Sequence, residues 1–369
     1  MIDQLLIDTD TLRQWLDEQR SLIVLDVRTA ADRAEWAIPG SIHVDAYAAL
    51  KANDPHALDA ADLPGDTPVI TVCGAGKISL VAAQQLRARG IQAHSLAGGM
   101  QAWSLAWNTA EVSISGSATR VVQIRRTGKG CLSYLIGADG EAAVVDAALA
   151  PEVYLNLARQ AGWHISAVLD THIHADHLSR ARALAEQSGA ALYLPAQDRT
   201  TFSFAPLVEG DTLTIGSVHL TALHTPGHTA ESTSYLLDGR APFTGDTLFL
   251  NAVGRPDLHA NQTAARARAH ALYASLQRLL ALPEDMLILP GHTSNPVLFD
   301  RHPLAATLAQ VRAETLLLHV PEETFVDTLL ARIPPTPPNH IRIIELNEAG
   351  ASVDNPIELE AGANRCAIA

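Results

Sequence analysis

The sequence predicts an α/β protein of two domains, and three observations carry that expectation. Short apolar runs alternate with helix-patterned stretches in two successive series. In the first, a cysteine sits in a glycine loop between a strand and a helix; in the second, a dense histidine cluster closes a strand. At roughly 100–200 residues per domain, a chain of 369 residues accommodates two. Hydrophobic residues at 47% against 18% charged are enough for ordinary globular cores, which argues against disorder.

In the first series, Ser21–Val27 (SLIVLDV) and Pro68–Val72 (PVITV) read as buried strands. Ile78–Arg89 reads as a helix with Leu80, Val81, Ala83 and Leu86 on one face, Gly90 falls at its C-terminal end, and Ile91–Leu96 follows as a strand. Such alternation implies a parallel sheet covered on both faces. The pattern fades after Trp103, and Val112–Thr119 (VSISGSAT), small and polar, reads as a linker. The expected division is residues 1–112, linker 113–119 and residues 120–369.

The second series opens with strands at Val121–Arg125, Cys131–Ile136 and Ala142–Val145, joined through Gly128–Gly130 and Gly137–Gly140. A helix follows at Pro151–Ala161, with proline at a first-turn position. Strand Ile165–Leu169 then runs into the histidines. Further strands at Ala191–Leu194, Val218–Leu223 and Ser234–Leu237 precede a long helix over about Gln262–Leu282, and the Pro-rich Ile333–Asn339 should be extended or irregular.

Lys and Arg number 26 against 40 Asp and Glu, a net charge of −14. Nucleic acid and anionic membranes would be repelled at long range, so neither is expected as a partner, whereas a small anion needs only a local positive pocket. No uncharged apolar run approaches the ~18 residues of a membrane span. The start, Met-Ile-Asp-Gln, lacks the basic and apolar regions of a signal peptide, so the cytoplasm is expected. A homo-oligomer is left open. Three cysteines cannot close a disulfide framework and show no Cys-x-x-Cys spacing, so they read as thiols. Sixteen histidines, many between 164 and 302, point instead to a metal site of nitrogen and oxygen ligands.

Val72-Cys73-Gly74-Ala75-Gly76-Lys77-Ile78-Ser79 joins a strand to a helix. Glycines let backbone N–H groups turn towards the sulfur, and the helix adds its positive end; both favour the nucleophilic thiolate, and Lys77 adds a nearby charge. A phosphatase loop would carry arginine six residues after the cysteine, and Ser79 stands there. The loop therefore suits a persulfide sulfur better than phosphate.

Together with Asp26-Val27-Arg28, Ile38-Pro39-Gly40-Ser41-Ile42 and Ala97-Gly98-Gly99-Met100-x-x-Trp103, this loop resembles the rhodanese (sulfurtransferase) family over the first ~110 residues. The resemblance implies a parallel-sheet α/β domain whose Cys73 carries sulfane sulfur. It departs from the family at Lys77 and Ile78, where arginine is frequent, and at Ala37, where histidine often precedes Ile-Pro-Gly.

Thr171-His172-Ile173-His174-Ala175-Asp176-His177 follows strand Ile165–Asp170, packing four potential ligands into six residues. His228, Asp246 and His292 each stand beside a glycine at the end of a predicted strand, and strand ends converging on one rim can build a metal site. This constellation resembles the metallo-β-lactamase superfamily over about residues 120–345, implying an αβ/βα sandwich with metal at one edge. A binuclear zinc hydrolase would place His172, His174 and His228 on one metal, Asp176, His177 and His292 on the other, and Asp246 between them. A mononuclear iron site would need only His172, His228 and Asp246.

Phe243-Thr244-Gly245-Asp246-Thr247-Leu248-Phe249 and Val253-Gly254-Arg255-Pro256-Asp257-Leu258 resemble the persulfide dioxygenase branch, as do the settings of Cys131 and Cys366. By that resemblance His172, His228 and Asp246 hold one Fe(II) per chain. His174, Asp176, His177 and His292 orient ligands and water, and Arg255, Asp257 and Cys366 border the substrate pocket. Leu258 stands where animal members have phenylalanine. The implied reaction oxidises a persulfide, foremost glutathione persulfide, with O2 to sulfite, while Cys73 exchanges sulfur among persulfide, sulfite and thiosulfate. The alternatives are a zinc hydroxyacylglutathione-type thioester hydrolase and a non-catalytic sulfur carrier or sensor.

Overall fold

The computed structural model describes residues 5–369; the four residues behind the signal-peptide expectation lie outside that range. The first series runs β1 (Leu6–Ile7), α1 (Thr9–Asp17), β2 (Ile23–Asp26), α2 (Ala30–Glu35), β3 (Ile42–His43), α3 (Tyr47–Lys51), β4 (Val69–Val72), α4 (Lys77–Ala88), β5 (Ala93–Leu96) and α5 (Gly99–Trp103). Its five strands lie in the order β1-β5-β4-β2-β3, every pair parallel. All four residues of β4 are buried, as a central strand covered on both faces requires.

One helix face differs from the expectation. α4 buries Ser79, Ala82, Ala83 and Leu86, while Leu80 and Val81 are only partly buried. The spacing 79, 82, 83, 86 is a single helical stripe, and its polar member has a buried partner. Hydrophobicity alone could not place a serine on that stripe.

The second series begins with β6 (Asn108–Val112), β7 (Arg120–Arg126), β8 (Cys131–Ala138), β9 (Glu141–Val145), α6 (Pro151–Ala161), β10 (His164–Leu169), α7 (Ala181–Ser188), β11 (Ala191–Pro195) and β12 (Ala205–Leu207). These strands form one sheet in the order β12-β11-β10-β9-β8-β7-β6. β6 pairs antiparallel with β7 from Asn108↔Arg125 to Val112↔Val121, so this sheet starts inside the segment assigned to the first domain. Residues 113–119 turn between two strands of the same sheet, where a linker between domains was expected. The strand was legible after all: Asn108, Ala110 and Val112 are buried in alternation.

Next come β13 (Thr212–Ile215), β14 (Val218–His224), β15 (Thr233–Leu237), β16 (Ala241–Gly245), β17 (Val253–Gly254), α8 (Gln262–Leu280), β18 (Leu287–Pro290) and β19 (Ala306–Thr307). The chain closes with α9 (Leu308–Glu314), α10 (Glu322–Ala331), α11 (His340–Ala349), α12 (Ile357–Glu360) and β20 (Ala367–Ile368). The second sheet is ordered β13-β14-β15-β16-β18-β19, and β17 pairs separately with β20.

The two large sheets pack face to face. Leu132, Tyr134, Ile136, Val145 and Leu169 from one meet Leu220, Tyr235, Phe243 and Leu289 from the other. Each fully buried leucine there contributes roughly 1.5–3 kcal/mol. α6 and α7 cover the outer face of the first sheet, α8 and α10 that of the second, giving the expected αβ/βα layers. In β10, Ala167 and Leu169 face the sandwich while Ile165 and Val168 face the helices. A register shift between Ile165 and Ala167 reverses the alternation, and with it sets how the strand delivers the histidine loop.

The domains touch closely. Trp103 packs on Phe299, Arg126 Nε donates to the Ser104 carbonyl at 2.7 Å, and Arg365 pairs with Glu35 at 3.1 Å. A Cβ on Gly128 would run into the Trp103 carbonyl. Among the described residues, no helix is long and apolar enough to cross a membrane.

Candidate active sites

Cys73, Gly74, Ala75 and Gly76 form the turn between β4 and α4, and Gly76 caps the helix at φ +82°. Gly99 presses so closely on this turn that a Cβ there would collide with the Cys73 carbonyl and the Gly76 amide. The amides of Met100 and Gln101 donate to the carbonyls of Cys73 and Gly74 at 2.8 and 3.0 Å. The Gly98-Gly99-Met100 segment thus clamps the cysteine loop. Cys73 is buried and accepts from Ser79 Oγ at 3.3 Å; Ala75 and Lys77 are exposed and Ile78 partly buried. Asp26 and Arg28 form a buried bidentate pair at 2.9 and 2.6 Å, and Arg28 also holds the Trp36 carbonyl. Their role is to fix the turn after β2.

In the second domain the expected histidines and Asp246 do converge, each just beyond a strand's C-terminal end. Asp246 Oδ2 lies 3.9 Å from His172 Nε2 and 3.6 Å from His228 Nε2. His172 Nε2 and Asp246 Oδ2 are buried without a hydrogen-bond partner. Leaving such atoms unpaired is costly, and a cation between them would satisfy both.

The outer nitrogens are fixed. Thr171 Oγ1 donates to Asp146 Oδ2 at 2.9 Å, so its lone pair accepts His172 Nδ1–H, also at 2.9 Å. His228 Nδ1 donates to the Arg255 carbonyl at 2.8 Å. Both Nε2 lone pairs are thereby turned to the shared space. Burial holds His172 and His228 below the ordinary imidazole value, with Asp246 opposing. Burial pushes Asp246 the other way, but His292 foremost outweighs it and keeps the carboxylate ionised. Two neutral imidazoles and one carboxylate are what a divalent cation requires.

A second group surrounds Asp176. Its Oδ1 lies 3.0 Å from His177 Nδ1, and its Oδ2 lies 3.0 Å from both His292 Nε2 and the Asn364 amide. His292 Nδ1 reaches Asp246 Oδ1 at 2.5 Å. Despite burial, Asp176 and Asp246 hold His292 well above its ordinary value. Cys131 Sγ lies 3.5 Å from Asp176 Oδ2; burial and Asp176 push this thiol up, but His177 and His292 bring it to about 6. Cys366 stands against Asp246 and His292, its thiol raised by burial first. His174 faces elsewhere, 3.4 Å from Asp146 and 3.8 Å from Asp170, and so leaves the group that a binuclear assignment gives it.

Arg255 and Asp257 do pair, at 2.8 Å through both nitrogens, but Arg255 is fully buried. Its remaining donors go to the carbonyls of Pro334, Pro335 and Arg365. It cannot offer charge to an anion, contrary to the expectation of a pocket residue; it ties the C-terminal segment to the loop that orients His228.

That segment supplies the residues sequence reasoning missed. Asn347 Nδ2 donates to the carbonyls of His174 and His177 at 2.8 and 2.9 Å, and its Oδ1 accepts from Ser179 N. Glu360 is buried, accepts the Leu178 amide at 3.1 Å, and pairs with Arg126 at 2.6 Å and Arg180 at 2.8 Å. Arg126 and Arg180 outweigh the burial of Glu360 and hold it at about 2. A cavity of about 250 Å³ opens beside Asp170, His172 and His174, with Phe202, Leu346 and Asn347 opposite. Another, of about 230 Å³, borders His292, Phe249 and Ala367.

Comparison with known proteins agrees with this architecture. Residues 8–106 match the rhodanese-like domain and residues 126–292 the metallo-beta-lactamase superfamily. A hydroxyacylglutathione hydrolase of Cereibacter sphaeroides is 37% identical over 158 residues, covering 42% of this chain and 58% of the relative. A beta-lactamase hydrolase-like protein of Agrobacterium fabrum is 31% identical over 229 residues, 56% of this chain and 51% of the relative. The chain thus spans about half the length of the curated relatives it matches. Among solved structures, a metallo-beta-lactamase from Staphylococcus aureus aligns with TM-score 0.59 and 26% identity over 65% of this chain and 75% of that one. ETHE1 from Myxococcus xanthus aligns with TM-score 0.55 and 27% identity over 62% of this chain and 98% of its own.

Proposed function

We propose, for a chain that carries a rhodanese-like domain followed by a metallo-β-lactamase domain, that the second oxidises a persulfide and the first moves sulfane sulfur. The observation that carries this reading is the convergence of His172, His228 and Asp246 on one space. His172 Nε2 and Asp246 Oδ2 are orphaned in that space, while Asp176, His177, His292 and Cys131 form a neighbouring group in which His177 Nε2 and His292 Nε2 also lack a hydrogen-bond partner and which contacts Asp246 and Asn364. Two nitrogens and one carboxylate suit a single metal with positions left for substrate. The likeness to ETHE1 along nearly all of that protein supports the same reading.

Iron(II) held by His172, His228 and Asp246 would supply what zinc cannot, a centre that binds persulfide sulfur and activates O2. The chain's own residues do the rest. Thr171 and the Arg255 carbonyl keep both imidazoles in the ligating tautomer, and the hydrogen-bonded His292 fixes the plane of the Asp246 carboxylate. The balanced overall reaction is RSS⁻ + O2 + H2O → RS⁻ + SO3²⁻ + 2H⁺, with glutathione persulfide the first substrate to try. Sulfite is itself a sulfur acceptor: persulfidated Cys73 can pass it a sulfur, giving thiosulfate and the free thiolate. Joining the two domains raises the local concentration of that intermediate.

A second reading, a zinc thioester hydrolase, is favoured by the hydroxyacylglutathione hydrolase relative and by the second group, Cys131, Asp176, His177 and His292, which could hold a further metal. Metal analysis separates the two. One iron per chain supports persulfide oxidation; two zincs, with cleavage of a glutathione thioester, would establish the hydrolase.

A further inference from the structure

α4 turns Ser79 inward, onto the stripe it shares with Ala82, Ala83 and Leu86. Ser79 Oγ donates to Cys73 Sγ at 3.3 Å, and Ser95 Oγ donates to Ser79 Oγ at 2.8 Å. Both serines are fully buried. A hydroxyl has one proton to give; with Ser95 filling its acceptor side, the Ser79 proton is left for the sulfur. Thr71 Oγ1 holds the Ser79 carbonyl at 2.7 Å, which fixes the first turn of the helix and so the reach of the hydroxyl. Among the described residues, Ser79 is the one side chain hydrogen-bonded to Cys73 Sγ, and Lys77, the nearest cation in sequence, is exposed.

We propose that Ser79 is the positioning residue of the sulfur-transfer loop, donating to the Cys73 thiolate under the direction of Ser95. The thiolate attacks the outer sulfur of thiosulfate; the new S–S bond forms as the old one breaks, and sulfite leaves with the electron pair. No external oxidant or reductant is needed. In the return step Cys73 Sγ is the leaving group, and the same hydrogen bond stabilises it. The transfer step rests on the sulfurtransferase reading; the hydrogen bond and its effect on the thiol do not.

The test is the pH dependence of Cys73 alkylation by iodoacetamide, followed on the Cys73 peptide by mass spectrometry in the full chain. Ser79→Ala should move the midpoint of the rate profile up by roughly one to two pH units, a ten- to hundredfold loss of thiolate at fixed pH. Ser79→Thr should restore it, and Ser95→Ala should move it less in the same direction. Transfer from thiosulfate to cyanide should fall about tenfold in Ser79→Ala at neutral pH, in kcat more than in KM. An unchanged midpoint in Ser79→Ala overturns the proposal. If that variant does not fold, an unchanged midpoint in Ser95→Ala overturns it instead. A shifted midpoint in a protein that transfers no sulfur upholds the role of Ser79 and removes the sulfurtransferase reading.

Discussion

The two sites are built by opposite means. Around Cys73, nearly everything that shapes the loop comes from nearby sequence: Thr71, Ser79, Ser95 and the Gly98–Gln101 clamp. Around Asp246, the residues that matter come from far apart, from Cys131 to Cys366, and the C-terminal segment reaches back to hold the histidine loop. A local site survives as long as its strand–loop–helix unit is formed. A dispersed site depends on the whole sandwich and on its last thirty or so residues, so distant substitutions should damage the second site and spare the first.

The largest effect should come from the triad. His228→Ala or Asp246→Asn should empty the metal site and cut O2 uptake well beyond the roughly 10–100-fold cost of losing an outer partner, with sulfur transfer through Cys73 intact. Metal content and both activities on one preparation check this. In the reverse experiment, Cys73→Ser should abolish thiosulfate-linked transfer and leave O2 uptake within about twofold. Loss of both would mean that the sites are not independent.

Glu360→Ala tests the dispersed support. It leaves Arg126 buried without its carboxylate, a loss on the order of 3–5 kcal/mol that a thermal or urea unfolding curve would show. The same pair sets a pH window. Glu360 is depressed to about 2 in the folded chain, so its contribution is fully present above the unfolded carboxyl value near 4.5 and fades as pH falls towards 2. Stability should drop through that interval, and Glu360→Gln should flatten the drop; a parallel curve would remove Glu360 from the account. Smaller still, Thr171→Val should weaken metal binding by roughly 10–100-fold in a chelator competition, since His172 Nδ1 loses its acceptor.

The same contrast decides what was legible in the sequence. Cys73 and its glycines were readable because their chemistry lies within one loop. His172, His174, Asp176 and His177 announced themselves by density, although their division into two groups depends on where each ring points. β6 alternates buried and less buried residues, but it lies just past Trp103, where the alternation of strands and helices fades, and only its last residue, Val112, touches the stretch that read as linker. Asn347, Glu360 and Asn364 act on residues 168 to 234 positions away, and a lone asparagine or glutamate near a chain end has no local pattern to mark it. Arg255 and Asp257 were paired correctly, but burial turned an apparent pocket charge into a brace for the tail.

Oxidation of persulfide at a single metal sets the second domain apart from a binuclear hydrolase. An oxygen electrode with glutathione persulfide tests it most directly on anaerobically purified, iron-loaded protein. O2 should be consumed one for one with persulfide, with sulfite formed in equal amount and both lost in His228→Ala. Iron-loaded protein that consumes no O2 with any persulfide, while its zinc form cleaves a glutathione thioester, would contradict it.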